Sequence, residues 1–99
     1  MENTKISLER QAMKARRLIN FTLEVYGSNK TVEMLEEEGS IAIKVLKEHN
    51  IFVVTLKGNI EANGDRNAEL QGKILHILEN NFNVCFEKEW GDCIQLQLS

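Results

Sequence analysis

Apolar residues recur along this chain at two spacings, and the spacings separate helices from strands. Leu8, Ala12, Ala15, Ile19, Thr22 and Tyr26 follow at steps of three and four, which puts them on one face of a helix. Asn3 and Thr4 are suitable N-caps, Glu9 favours the opening turns, and Gly27 suits the left-handed position past the last turn. The pattern predicts a helix from about residue 4 to 26. A strand competes for its second half, because Ile19, Phe21, Leu23 and Val25 also alternate with polar neighbours. Helix is preferred, since nothing before Gly27 stops one. Thr31 to Glu38 reads either as a short helix capped by Thr31 and ended by Gly39, or as a strand through Val32 and Met34.

From Ser40 the signal changes to β. Ile41–Leu46 and Ile51–Leu56 are rich in β-branched residues and flank the four-residue loop Lys47-Glu48-His49-Asn50. In a hairpin, Val45 faces Phe52, Ile43 faces Val54 and Ile41 faces Leu56, and three apolar pairs on one face fix the register. The rival is a single helix over 31–49 leading into a parallel βαβ unit, opposed by Gly39 and Ser40 at its middle. Residues 59–67 are polar and turn-like, and Asp65 or Asn67 is placed to cap a helix over about 66–80. Leu70, Ile74, Ile77 and Leu78 line its inner side, and Glu69, Lys73, His76 and Asn80 its outer side. The closing segment predicts a second hairpin with a three-residue loop, Trp90-Gly91-Asp92, which sets Phe86 opposite Leu96 and Val84 opposite Leu98. The expectation is one α+β domain over residues 1–99. It has an N-terminal helix, a mainly antiparallel sheet of about four strands from two hairpins (about 41–57 and 83–98), and the 66–80 helix packed on it.

Composition narrows the class. Ninety-nine residues with 42% apolar and 27% charged content suit one globular domain with a modest core, not a disordered chain. No apolar run is long enough to span a membrane. The opening residues lack the apolar core of a secretory signal, which predicts a cytoplasmic location.

The net charge of −3 hides an asymmetry. Residues 1–30 carry six bases and three acids, whereas residues 31–99 carry six bases and twelve acids. A basic N-terminal segment on an acidic body can contact nucleic acid or a membrane surface, or provide two surfaces that attract each other. Arg10, Lys14 and Arg17 form the basic stripe of the first helix and are the candidate nucleic-acid contacts. Against them stand the acidic body, the absence of interleaved aromatics, and the acidic Val32–Glu38 segment where a recognition helix would follow.

Catalytic and metal motifs are weak. In the predicted closing hairpin Cys85 faces Gln97 and Cys93 faces Glu89, about 13 Å apart at ~3.3 Å per residue, so both are expected as free thiols. His49 and His76 have no partner at motif spacing. The Asn59–Asp65 run touches the calcium-loop pattern but has Leu70 where the bidentate glutamate belongs. No phosphate loop is present, and no cofactor or metal is expected. A small enzyme or ligand-binding domain would have to draw on Cys85, His76 or Glu61.

The remaining clue is the sheet. Ile51 and Val53 lie opposite the Phe52–Val54 face, and Cys85 lies on the second face of its hairpin. A sheet that is apolar on both sides needs cover on both. The expected function is therefore a non-enzymatic interaction or regulatory module, homodimeric or with a protein partner, with Ile51, Val53 and Cys85 at the interface. The second reading is a small nucleic-acid-binding regulator using Arg10, Lys14 and Arg17.

Overall fold

The computed structural model describes residues 7–58, 60–62 and 65–99. Helix α1 runs Leu8–Val25 and α2 runs Val32–Glu37. Strands β1 (Ile41–Leu46) and β2 (Ile51–Leu56) follow, joined by a 3-10 turn at Lys47–His49. A short pair, β3 (Ile60–Ala62) and β4 (Asp65–Asn67), precedes α3 (Ala68–Asn81). Strands β5 (Val84–Trp90) and β6 (Cys93–Leu98) close the chain. The main sheet is antiparallel in the order β1-β2-β6-β5. The α+β expectation therefore holds, and the parallel βαβ alternative does not.

Helix α1 begins later than expected. Ser7 is its N-cap, its hydroxyl accepting from the Arg10 N–H at 3.2 Å, and Asn3 and Thr4 lie outside the described residues. The helix then continues to Val25, so the strand reading of residues 19–26 is overturned. Its buried face is Ala12, Ala15, Ile19, Thr22 and Leu23, as the three-and-four spacing requires. The hydroxyl of Thr22, a polar group on that face, donates to the Leu18 carbonyl at 2.9 Å, which removes the cost of burying it. Tyr26 falls outside the face, as the exposed C-cap.

The Thr31–Glu38 ambiguity resolves to a short helix, and tertiary bonds explain why six residues suffice. Thr31 caps it by accepting from the Met34 N–H. Asn20 on α1 accepts from the Val32 N–H at 2.7 Å. Arg16, one turn back on α1, reaches Glu36 through two hydrogen bonds of 3.4 and 3.0 Å. Lys30 Nζ lies 2.6 Å from Glu38. So short a helix is marginal in isolation, and α1 supplies the caps and charges that hold it. Both helices close by the same backbone pattern, Ser28 N–H to Leu23 and Ser40 N–H to Leu35.

The first hairpin has the expected register, with Val45–Phe52, Ile43–Val54 and Ile41–Leu56 paired. The second does not. Trp90 pairs with Cys93, leaving a two-residue turn, and Glu87, not Phe86, sits opposite Leu96. Gly91 supplies the positive φ (57°) that such a turn demands at its first central residue. The core makes a different demand, because Val84 must meet the buried Leu98, and that pair is also present. A bulge at Cys85 absorbs the one-residue difference between the two frames. The expected register is thus right at Val84–Leu98 and off by one from Phe86 to the turn. Cys93 faces Trp90, not Glu89, and Phe86, not Cys85, faces Gln97.

Residues 60–67, read as irregular, contain the β3–β4 ladder; Asp65 belongs to β4, and Asn67 directly precedes α3. Asn59, Asn63 and Gly64 of the calcium-like run lie outside the described residues. Leu70, where that loop would place its glutamate, is fully buried. The core gathers α1, α2, α3 and the inner sheet residues Ile41, Phe52, Val54, Leu56, Leu96 and Leu98. Phe52 and Phe82 meet edge to face with centroids 5.1 Å apart. Helices α1 and α3 run antiparallel beside each other, with Lys14 over Phe82 at one end and Lys73 over Tyr26 at the other.

Gly58 and the β5–β6 turn approach closely. A Cβ on Gly58 would lie 2.7 Å from Asp92 Cβ and 2.8 Å from the Asp92 carbonyl oxygen. The Gln71 amide donates to both the Asp92 (2.9 Å) and Leu56 (3.3 Å) carbonyls, pinning the turn to β2 and α3. Gly58→Ala is expected to destabilise the fold by about 1–3 kcal/mol. Gly72→Ala, on exposed α3 with nothing within 4 Å of the new carbon, is expected to stabilise it by up to about 1 kcal/mol. Urea unfolding of the two variants tests this opposition in sign.

Candidate binding surface

Strand alternation sorts the sheet side chains onto two faces. The inner face meets the helices. The outer face carries Ala42, Lys44 and Leu46 of β1, and Ile51, Val53 and Thr55 of β2. It continues with Cys93, Gln95 and Gln97 of β6, and Phe86, Lys88 and Trp90 of β5. Among the described residues no helix crosses this face. Its rows read directly from the register: Lys44, Val53, Gln97, Phe86 in one and Ala42, Thr55, Gln95, Lys88 in the next. Gln95 Nε2 donates to Thr55 Oγ1 at 3.3 Å, so the middle of the face is an amide–hydroxyl strip.

The expected interface residues Ile51 and Val53 both lie on this outer face, although Val53 is 9% exposed and hemmed in by its neighbours. Cys85 is exposed at the bulge, its Sγ 3.5 Å from Ser99 Oγ, beside the Asn83–Ser99 backbone pair that ends the sheet. Both cysteines are free thiols. The sequence reading missed Phe86 and Trp90, which are 51% and 45% exposed. A three-residue loop sets Phe86 opposite Leu96 on the inner side, and the two-residue turn reverses that parity. The signal that could have shown this is Gly91-Asp92 as the whole turn. Lys88 Nζ lies 5.7 Å from the Trp90 ring centroid, on the same side of the strand.

Arg10, Lys14 and Arg17 are exposed along α1, in the helical layer on the far side of the sheet from this face. Lys14 Nζ sits 5.4 Å over the Phe82 ring. Arg16 and Lys30, which added to the basic excess of the N-terminal segment, are held by Glu36 and Glu38. The Glu36–Glu38 run is thus a docking element within the chain as well as a solvated surface. Glu9 and Lys47 form a further pair at 2.9 Å, which lowers the carboxyl and raises the ammonium pKa.

His49 is exposed in its turn, and His76 is exposed on α3 next to Asn80, 3.1 Å away. A groove of about 290 Å³ between α1 and α3 is lined by Phe21, Val25, Tyr26, Ile77 and His76, with the Thr22 hydroxyl there donating to the Leu18 carbonyl. No three His, Cys, Asp or Glu side chains cluster at metal-binding distance among the described residues. No helix there is long and apolar enough to cross a membrane.

The inner side of β5 is acidic. Glu87 and Glu89 alternate with the outward Phe86, Lys88 and Trp90. The Glu87 carboxyl is raised above its usual range, first by burial and then by the charges of Glu79 and Glu89. A carboxyl raised in the folded state costs stability when ionised, and the cost vanishes as pH falls through its raised value. Glu87→Gln is therefore expected to raise the melting temperature at neutral pH, with the gain shrinking toward pH 4.5, the ordinary carboxyl value. Melting curves at the two pH values check both parts. Comparison with family models, with curated proteins and with solved structures finds no match to this chain, so its function has to be read from this surface.

Proposed function

We propose that the chain is a non-enzymatic interaction module whose contact surface is the outer face of the four-stranded sheet. The observation that supports this is one-sided cover: the helices pack on one face, and the other displays Phe86 and Trp90 half in solvent. Large aromatics with a polar handle or a charged neighbour are a common anchor of recognition surfaces. Edge-to-edge growth through β5 is opposed by Glu87 and Glu89, whose like charges would meet those of a second copy. At the β5 edge this favours the flat of the sheet over the rim as the contact surface.

A homodimer is the form of this reading favoured by the apolar strip Leu46, Ile51 and Val53. Two copies stacked face to face would also bring together Lys44 and Lys88 of each, with no acid on the strands of this face to offset them. Such a dimer must strengthen as salt screens the lysines. Sedimentation at high micromolar concentration, at low and high salt, tests it. A dimer that tightens with salt and dissociates on Ile51→Lys supports the homodimer. A monomer under both conditions overturns it and leaves the face to a partner of another kind.

A further inference from the structure

We propose that the outer sheet face binds single-stranded nucleic acid, with Phe86 and Trp90 as stacking platforms and Lys44 and Lys88 as phosphate contacts. The inference rests on the reading of this face as the contact surface and names what occupies it. The two rings stand on one strand, on one side, four residues and about 13 Å apart, far enough to take different bases. Lys88 lies between them, and Lys44 sits across the sheet in the row of Phe86. Alternating aromatic and cationic groups on an open platform are what unpaired bases and their backbone require. The Gln95 and Gln97 side chains lie on the next strand, where they can donate to and accept from base edges.

Charge supports the same occupant. The outward strand residues include lysines and no carboxylate; Glu87 and Glu89 point to the other face. Glu48 and Asp92 lie in the turns at the two ends. A chain that is acidic overall thus presents a locally cationic patch. A second copy of this face fits less well at low salt, because it would set Lys44 and Lys88 against their own counterparts. A duplex fits poorly too, since its bases are already stacked and hidden from the rings.

Trp90 is the chain's only tryptophan, so its fluorescence reports on the proposed site directly. The probes are a single-stranded oligonucleotide of roughly 12 residues, as RNA and as DNA, the matching duplex, and polyglutamate. The single strands are expected to quench Trp90 and to bind more tightly than duplex or polyglutamate. Affinity should fall as salt rises from about 50 to about 200 mM, with a log–log slope near −1.5 for two lysines. Measured by anisotropy of labelled oligonucleotide, Phe86→Ala and Trp90→Ala should each weaken binding roughly tenfold, while Trp90→Phe, which keeps a ring, retains most of it. Unchanged melting curves confirm that these exposed positions act on binding and not on folding. Arg10→Glu with Lys14→Glu should leave binding unchanged. Its loss in that variant moves the site to α1 and overturns the proposal, as does binding indifferent to both ring substitutions. Polyglutamate binding as tightly, with the Trp90 response, replaces nucleic acid by an acidic polypeptide and keeps the open face. If no probe moves Trp90 and the chain is monomeric, the open-face reading falls as well.

Discussion

A four-stranded sheet has two faces, and the helices of the described residues cover one of them. Helices α1, α2 and α3 converge on the side of Phe52, Val54, Leu96 and Leu98, where burial is complete. Each apolar side chain removed from water there contributes about 1.5–3 kcal/mol, and together they fix which side of each strand faces inward. The other features follow from that choice of side. The second hairpin has to bring Val84 over Leu98, the short helix α2 has to be tied to α1, and whatever remains outward faces solvent.

Much of this was legible in the sequence where a single local rule decided. The β1–β2 register followed from three apolar pairs, and the inner faces of α1 and α3 followed from their spacing. It was not legible where two rules competed. At β5–β6 the alternation of Val84 and Phe86 argued for one frame and the Gly91 turn for another, and the structure satisfies both by inserting Cys85 as a bulge. At α2 the local signal was balanced between helix and strand. The deciding contacts, Asn20 to the Val32 N–H and Arg16 to Glu36, join residues 12 and 20 positions apart. Ile51 and Val53 were recognised as outward because their hairpin was read correctly. Phe86 and Trp90 were not, because theirs was read one residue out.

The uneven distribution of charge has a different meaning in three dimensions. The basic excess of the first thirty residues is partly met within the chain, by Glu36 and Glu38 of the segment that follows. Exposed pairs of this kind contribute little stability on average. Arg16 is the better placed, since its two-pronged contact also fixes orientation. The attraction that could have steered a partner is instead used to seat a helix of six residues. Arg10, Lys14 and Arg17 stay exposed on the helical side, and Lys44 and Lys88 on the outward side of the sheet.

The bulge at Cys85 can be regarded as one residue of slack stored in an edge strand. Were that slack moved to the tip, Trp90-Gly91-Asp92 would form the loop, Phe86 would turn inward and Glu87 outward. The same seven-residue strand would then show water an acidic face in place of an aromatic one. The chemistry of the surface is thus set less by which residues the strand contains than by where its spare residue sits. Moving that one residue would exchange Phe86 for Glu87 on the outward face while keeping Val84 opposite Leu98.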